Sequence, residues 1–472
     1  MQEEDDELEN REEQDEKLKS TLDRFEEMMR KREHYFFDVD ALIRIIDHYI
    51  ETGDCKKAIE VAHYAYELYP HSVNFLLKQA QLFAISGHEN KALETLDRVE
   101  QINPYDAEIN LIRGNVFNSL EKFQSAIESF KKALALSDVK DEIYLSMAVT
   151  YQNMQDYSNS LRFYKLAIKE NPHNELAYEE LAICYSHTGK LEEGVDYFRQ
   201  LIDNDPYSFL AWYNLGDIYS KLNLYEKALS AYEYSILIKE DFTPAYLDHA
   251  SVLAIMGKYE EAIQRYKQTF EFAQPDAITY YNIADCYEKL EMMDEARTNY
   301  KKAIKISPQM SQAWYGIALT LEFEERWYES IHYIRKALEC DGNNSDYWVL
   351  LGDCEYKLNN IAEAEECYRK ALDHEPENLD AWLAFSIYFE EENRLEEAIE
   401  ITVEAIKFHT STSELYYRMV CLLYLAGKHK EAYTQLEIAL NKDYSYHRML
   451  FEMMPELKND LTILQLIEEQ KQ

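Results

Sequence analysis

A chain of 472 residues with 13 histidines, seven cysteines and 89 carboxylates holds ample material for catalysis, so spacing decides whether any of it is used. A zinc-dependent hydrolase needs two histidines one helical turn apart with a glutamate beside the first. His88-Glu89 and His374-Glu375 begin that pattern, and neither has the second histidine. Cys55, Cys184, Cys286, Cys340, Cys354, Cys367 and Cys421 include no C-x-x-C pair, which removes the zinc ribbon and the dithiol redox centre. They read as reduced, mostly buried thiols of a reducing compartment. No serine lies in a G-x-S-x-G elbow, and no glycines form a G-x-G or a P-loop, so neither an activated hydroxyl nor a phosphate cradle is encoded. Paired acids such as Glu260-Glu261 belong on solvated faces when acids are this numerous. The expectation is a non-enzyme with no catalytic residue, no metal and no cofactor.

Charge narrows the partners. Lys and Arg total 49 against 89 Asp and Glu, a formal net charge of −40. Phosphate neutralisation requires the opposite balance, so nucleic acid is excluded as a partner, and an anionic membrane surface with it. Hydrophobic residues make up 47% of the chain, enough to build a core. The longest apolar run, Val420 to Ala426, falls far short of the ~20 residues of a membrane span. Met1 to Glu16 contains no apolar stretch that could act as a signal peptide. A cytoplasmic protein without membrane insertion is expected.

What the residues build is periodic. Pro70 and Pro104 lie 34 apart, as do Pro172 and Pro206, and Pro308 and Pro376 lie at twice that spacing. With these prolines at position 32, twelve periods of 34 residues run from Val39 to Tyr446 without insertion. Position 4 is large, as in Trp212, Tyr246, Tyr280, Trp314, Trp348 and Trp382. Position 8 is small in most periods, and position 20 in all twelve, from Ala58 to Ala432. Position 24 is usually aromatic, as in Phe130, Tyr164, Phe198, Tyr232, Tyr266, Tyr300 and Tyr368. Apolar residues at 4, 7, 8 and 11 make the stripe of a first helix, and those at 20, 24, 27 and 28 the stripe of a second. The small residues let the two backbones approach while the large ones fill the space around them. Gly53, Gly87, Gly189, Gly257 and Gly427 share position 15, where a left-handed residue ends the first helix. Asp38, Ser72, Asp106, Asn174, Ser208, Asp276, Asn344, Asn378 and Thr412 precede first helices as N-caps. In the seventh period Thr243 is expected to cap, with Pro244 in the first turn.

This pattern resembles the tetratricopeptide repeat (TPR) family over residues 39–446. The resemblance implies an all-α fold, an α-solenoid whose helix-turn-helix repeats stack into a right-handed superhelix. Residues 1–16 carry ten acids against Arg11 alone and are expected to form a solvated, mobile acidic tail. Within 17–38, Leu18, Leu22, Phe25 and Met29 make the stripe of an N-terminal capping helix. Within 447–472, Leu450, Met453 and Met454, then Leu457, Leu461, Leu464 and Ile467 beyond Pro455, predict a C-terminal capping helix.

The resemblance also implies that positions 2, 5, 6, 9, 12 and 13 of the first helices line a concave groove facing a ligand. Tyr213, Asn214 and Asp217 in repeat six, Asp248 in repeat seven, Tyr281, Asn282 and Asp285 in repeat eight and Tyr315 in repeat nine make a candidate peptide-binding strip. Tyrosine offers rigid apolar contact with a polar tip. Asparagine can bond a peptide backbone in both directions, and sheltered aspartate prefers Lys or Arg by roughly 1.5–3 kcal/mol. The carboxylate clamp of heat-shock chaperone cofactors is not matched, because positions 2 and 5 are never basic here. The sequence therefore predicts a protein–protein interaction scaffold or adaptor that takes basic segments of partner proteins, with a monomer favoured over a homo-oligomer. The alternatives are a permanent structural or regulatory subunit of an assembly, or an accessory subunit recruiting substrates to a separate enzyme.

Overall fold

The computed structural model of the chain describes residues 18–31, 35–70 and 72–470, so the acidic segment 1–16 lies outside the described residues. Among those described, helices and turns account for the fold and no strand occurs. Helix starts keep the 34-residue phase throughout. The first helix of each repeat spans thirteen residues, as in Val39–Glu51, Phe209–Lys221 and Ser413–Leu425. The second spans fourteen, as in Cys55–Leu68, Tyr225–Ile238 and His429–Lys442. Repeat seven departs: its second helix, Tyr259–Gln268, tightens into a 3-10 turn at Thr269–Glu271.

The turn inside each repeat is a left-handed helix stop. All five position-15 glycines have positive φ, from 66° to 76°. The other seven repeats place Glu121, Gln155, Asn223, Glu291, Glu325, Asn359 and Asn393 in the same region, at φ 57° to 63°. The next N–H then reaches back over the last turn, as in Lys258 N to Leu253 O at 2.9 Å and Arg326 N to Leu321 O at 2.8 Å. That is the Schellman closure, and it satisfies a carbonyl the helix end would orphan.

Side chains start the first helices as the period predicts at Asp38, Asp106, Asn174, Ser208, Asp276, Asn344 and Asn378, each accepting a backbone N–H of the first turn. Ser72 and Thr412 occupy cap positions without such a bond. Thr243 is a correction: it is the first helical residue, and Phe242 precedes it as a cap without a side-chain bond. Holding the helix in phase with its neighbours outweighs the local preference of Thr243. Asp54 and Asp156 also cap second helices, which the period did not suggest.

Packing between the two helices of a repeat rests on position 8 against position 24. A Cβ on Gly216 would lie 2.6 Å from the Tyr232 ring, and one on Gly352 would lie 2.9 Å from that of Tyr368. In these glycine repeats the ring occupies the space that a Cβ at position 8 would need.

The chain divides into two compact units, Met1–Glu240 and Asp241–Gln472. In the first, helix 18–31 adds Phe25 and Met28 to a core with Phe37, Leu42, Ile45 and Ala58. Met28 takes the inward place expected for Met29, which is exposed. In the second, the chain beyond repeat twelve forms His447–Met453, a 3-10 turn at Pro455–Asn459 and a helix at Leu461–Glu469. These bury Leu450, Met454, Leu457, Ile463 and Ile467. Leu461 and Leu464, expected inside, face out because Asp460 caps the last helix through the N–H groups of Thr462 and Ile463. That start sets a stripe through Ile463 and Ile467 instead. The Tyr424 and Tyr433 hydroxyls donate to Asp460 Oδ2 at 3.0 and 2.9 Å.

Candidate functional site

In the first unit, Tyr213, Asn214 and Asp217 share the helix Phe209–Lys221. Asn214 is 1% exposed, and its amide donates to the Leu210 carbonyl at 2.9 Å. Its Oδ1 is buried without a hydrogen-bond partner. Asp217 accepts the Tyr232 hydroxyl at 2.7 Å. The half-buried Tyr213 ring lies 5.9 Å from that of Tyr232. In this unit the position-6 amide is turned onto its own helix, and the position-9 carboxylate is tied to the second helix.

In the second unit, Asp248 is half-buried on Thr243–Ile255. Tyr281, Asn282 and Asp285 stand on Ala277–Lys289, and Tyr315 on Ser311–Phe323. The Tyr281 ring is 5.7 Å from Tyr300, and Tyr315 is 4.7 Å from Tyr347. Burial raises the pKa of both Tyr281 and Tyr315, and nearby acids add to it: Asp285 and Glu288 for Tyr281, Asp346 and Asp353 for Tyr315. Both hydroxyls therefore stay protonated and can donate.

Three further carboxylates belong with this group, and the emphasis on positions 5, 6 and 9 of repeats six to eight passed over them. Glu288 and Glu322 occupy position 12 of repeats eight and nine, and Asp353 occupies position 9 of repeat ten. Burial lifts the pKa of Asp285, Glu288, Glu322 and Asp353 above the ordinary carboxylate range. Mutual repulsion adds to it, Asp285 acting on Glu288 and Asp353 on Glu322. Lys289 and Lys357 oppose the shift without reversing it. Among the described residues, no basic side chain forms an ion pair with any of the four. Two of them serve the fold as acceptors: Tyr300 donates to Glu288 at 2.9 Å and Tyr368 to Asp353 at 2.6 Å. The signal for the missed acids was present, since the resemblance puts positions 9 and 12 on the face expected to meet a ligand.

All seven cysteines are free thiols, five of them buried. Among the described residues, no group of three or more His, Cys, Asp or Glu could hold a metal ion. Nor is any described helix long and apolar enough to cross a membrane.

Family models described as tetratricopeptide repeat match residues 107–139, 145–209, 197–230, 242–309 and 345–378. No curated protein matches the chain. Among solved structures, the chain is similar to the crystal structure of YrrB, a TPR protein with an unusual peptide-binding site. That similarity is at 20% sequence identity, covers 40% of this chain and 96% of the other, and has a TM-score of 0.34.

Proposed function

The chain is a tetratricopeptide repeat protein, a class of interaction scaffold, and we propose that it binds a cationic segment of a partner protein on the first-helix face of repeats eight to ten. The contacts are Tyr281, Asn282, Asp285 and Tyr315, extended by Glu288, Glu322 and Asp353. Tyr213, Asp217 and Asp248 carry residues of the same types at corresponding positions of repeats six and seven, whereas the buried Asn214 is not a contact.

One observation carries this reading. Four carboxylates are sheltered from water, Asp285 repels Glu288 and Asp353 repels Glu322, and among the described residues none of the four forms an ion pair with a basic side chain. A shielded acid without a counterion is costly to ionise, and a ligand guanidinium or ammonium would supply the missing charge. The flanking tyrosines supply apolar contact for the stem of such a side chain. The net charge of −40 would steer basic partners toward the protein. On this reading the protein is a monomeric, cytoplasmic, non-catalytic adaptor.

Fluorescence anisotropy with a labelled peptide of alternating arginine and leucine, titrated with the full chain, tests it. Asp285→Asn combined with Glu322→Gln should weaken binding by roughly tenfold or more, the scale of one or two lost charge-assisted contacts. The variant should melt no lower than the parent. Undiminished affinity in the double variant removes the proposal.

A further inference from the structure

One surface of the first unit runs against the charge of the whole chain. Between the second helices of repeats four and five, Tyr157–Glu170 and Leu191–Asn204, lies a groove of about 770 Å³. Arg162, Lys165, Lys169 and Lys190 line it, with Leu166 and Leu201 among the apolar side chains between them. All of its lining lies at position 16 or beyond in the two repeats, so it belongs to the opposite helix set from the acidic first-helix face.

The cations there are poorly compensated. Glu193 is the one carboxylate in the lining, and Lys190 holds it at 3.2 Å. Among the described residues, no carboxylate forms an ion pair with Arg162, Lys165 or Lys169. Lys165 Nζ lies 4.7 Å from the centre of the Tyr197 ring and 5.5 Å from that of Tyr185. Burial lowers its pKa, which Glu193 only partly opposes. Aromatic faces hold the ammonium in place without neutralising it.

This concentration is peculiar to repeat four. Arg162, Lys165 and Lys169 fill positions 22, 25 and 29, and no other repeat is basic at all three. Repeat two carries Glu94, Asp97 and Gln101 there, and repeat ten carries Glu366, Arg369 and Asp373.

We propose that this groove docks an acidic peptide segment of a partner protein, one in which several carboxylates alternate with leucine or aromatic side chains. Carboxylates would meet Arg162, Lys165 and Lys169, and the apolar side chains would cover Leu166 and Leu201. The chemistry favours peptide over nucleic acid, because the floor is apolar and a polyphosphate strand would extend past four cations onto acidic surface. The site is independent of the first-helix face and does not rest on the function proposed for it.

The test titrates the full chain into a fluorescein-labelled peptide alternating glutamate and leucine, with a glutamine–leucine peptide as the uncharged control. The glutamate peptide should bind and the control should not. Arg162→Glu combined with Lys169→Glu, both exposed positions, should weaken binding by roughly tenfold or more with an unchanged melting curve. Lys165→Met, which keeps the stem over the rings, should weaken it as well, whereas Asp285→Asn should leave it alone. Equal binding by the control peptide, or by the charge-reversed protein, overturns the proposal. So does a single-stranded DNA oligonucleotide that displaces the peptide at lower concentration than the peptide itself requires.

Discussion

The Tyr368 hydroxyl donates to Asp353 Oδ1 at 2.6 Å, joining the second helix of repeat ten to its first. The same tie recurs within one repeat as Tyr232 to Asp217 at 2.7 Å, Tyr300 to Glu288 at 2.9 Å and Tyr164 to Gln152 at 3.0 Å. The ring at position 24 fills the gap over position 8, and its hydroxyl reaches a polar group at position 9 or 12. Tyr368→Phe keeps the ring and leaves a sheltered carboxylate short of a donor. Urea unfolding should show a loss of about 1–3 kcal/mol, the cost of an unsatisfied sheltered group. Asp353→Asn in the same background should recover part of it.

Ionisation of the sheltered acids opposes folding. Burial raises Asp285, Glu288, Glu322 and Asp353 above their unfolded values, so the folded state holds these protons more tightly. Their contribution falls as pH rises from the unfolded value of about 4 through the raised folded values, and returns on acidification. Glu322→Gln should therefore raise the urea midpoint at neutral pH, with the gain fading by about pH 4. A gain independent of pH would place the effect elsewhere. By the same linkage, a cationic peptide bound at this face should bind more tightly as pH rises through that window.

Asp460 has the opposite sign. Burial pushes its pKa up, but the N–H groups of Ile463 and Thr462 and the hydroxyls of Tyr433 and Tyr424 outweigh burial and leave it below the ordinary value. The stability it supplies is present above about pH 4 and is lost as pH falls through the lowered folded value. Asp460→Ala removes a helix cap and the acceptor of two tyrosine hydroxyls, and should cost on the order of 1–3 kcal/mol. Faster amide exchange over 461–469 than elsewhere would locate the loss.

The left-handed turns invite paired substitutions. Glu325 adopts φ 59° where Gly257, at the same position two repeats earlier, adopts 76°. A side chain there costs about 1–2 kcal/mol, of which glycine's extra unfolded-state entropy returns about 0.5–1 kcal/mol. Glu325→Gly should raise the melting temperature slightly, and Gly257→Ala should lower it.

Position 20 tolerates no bulk. Ala228 has no exposed surface and lies among the buried residues of Tyr225–Ile238, the second helix of repeat six. Ala228→Leu should cost about 1–3 kcal/mol by chemical denaturation. A neutral result would mean that the helix pair can part without loss.

Periodicity made the helices legible in the sequence almost residue by residue, because prolines, small residues and caps all recur on one count. The seven turns without glycine were not legible in the same way. Glu121, Glu291 and Glu325 have no left-handed preference of their own, and they take that conformation because the helices on either side are fixed by packing. Asn214 shows the limit at the candidate site. The resemblance puts its position on the face expected to meet a ligand, yet its amide bonds the Leu210 carbonyl and the side chain is buried. Sequence position marks the face of a helix, whereas the rotamer decides whether the polar group is exposed or turned onto its own backbone. The sheltering of Glu288 and Glu322 is equally a property of stacking, invisible in a chain where acids abound.

The unbroken phase of the helix starts has a consequence for how such a chain can change. Excision of residues 311–344 would join Met310 to Ser345, which again stands at position 1 before a first helix. Recombination could thus lengthen or shorten the array by whole periods without shifting the phase of any helix. A single-residue insertion inside a helix would instead turn every later side chain of that helix by about 100° away from its neighbours. Gains and losses tolerated by this lineage should come in units of one repeat.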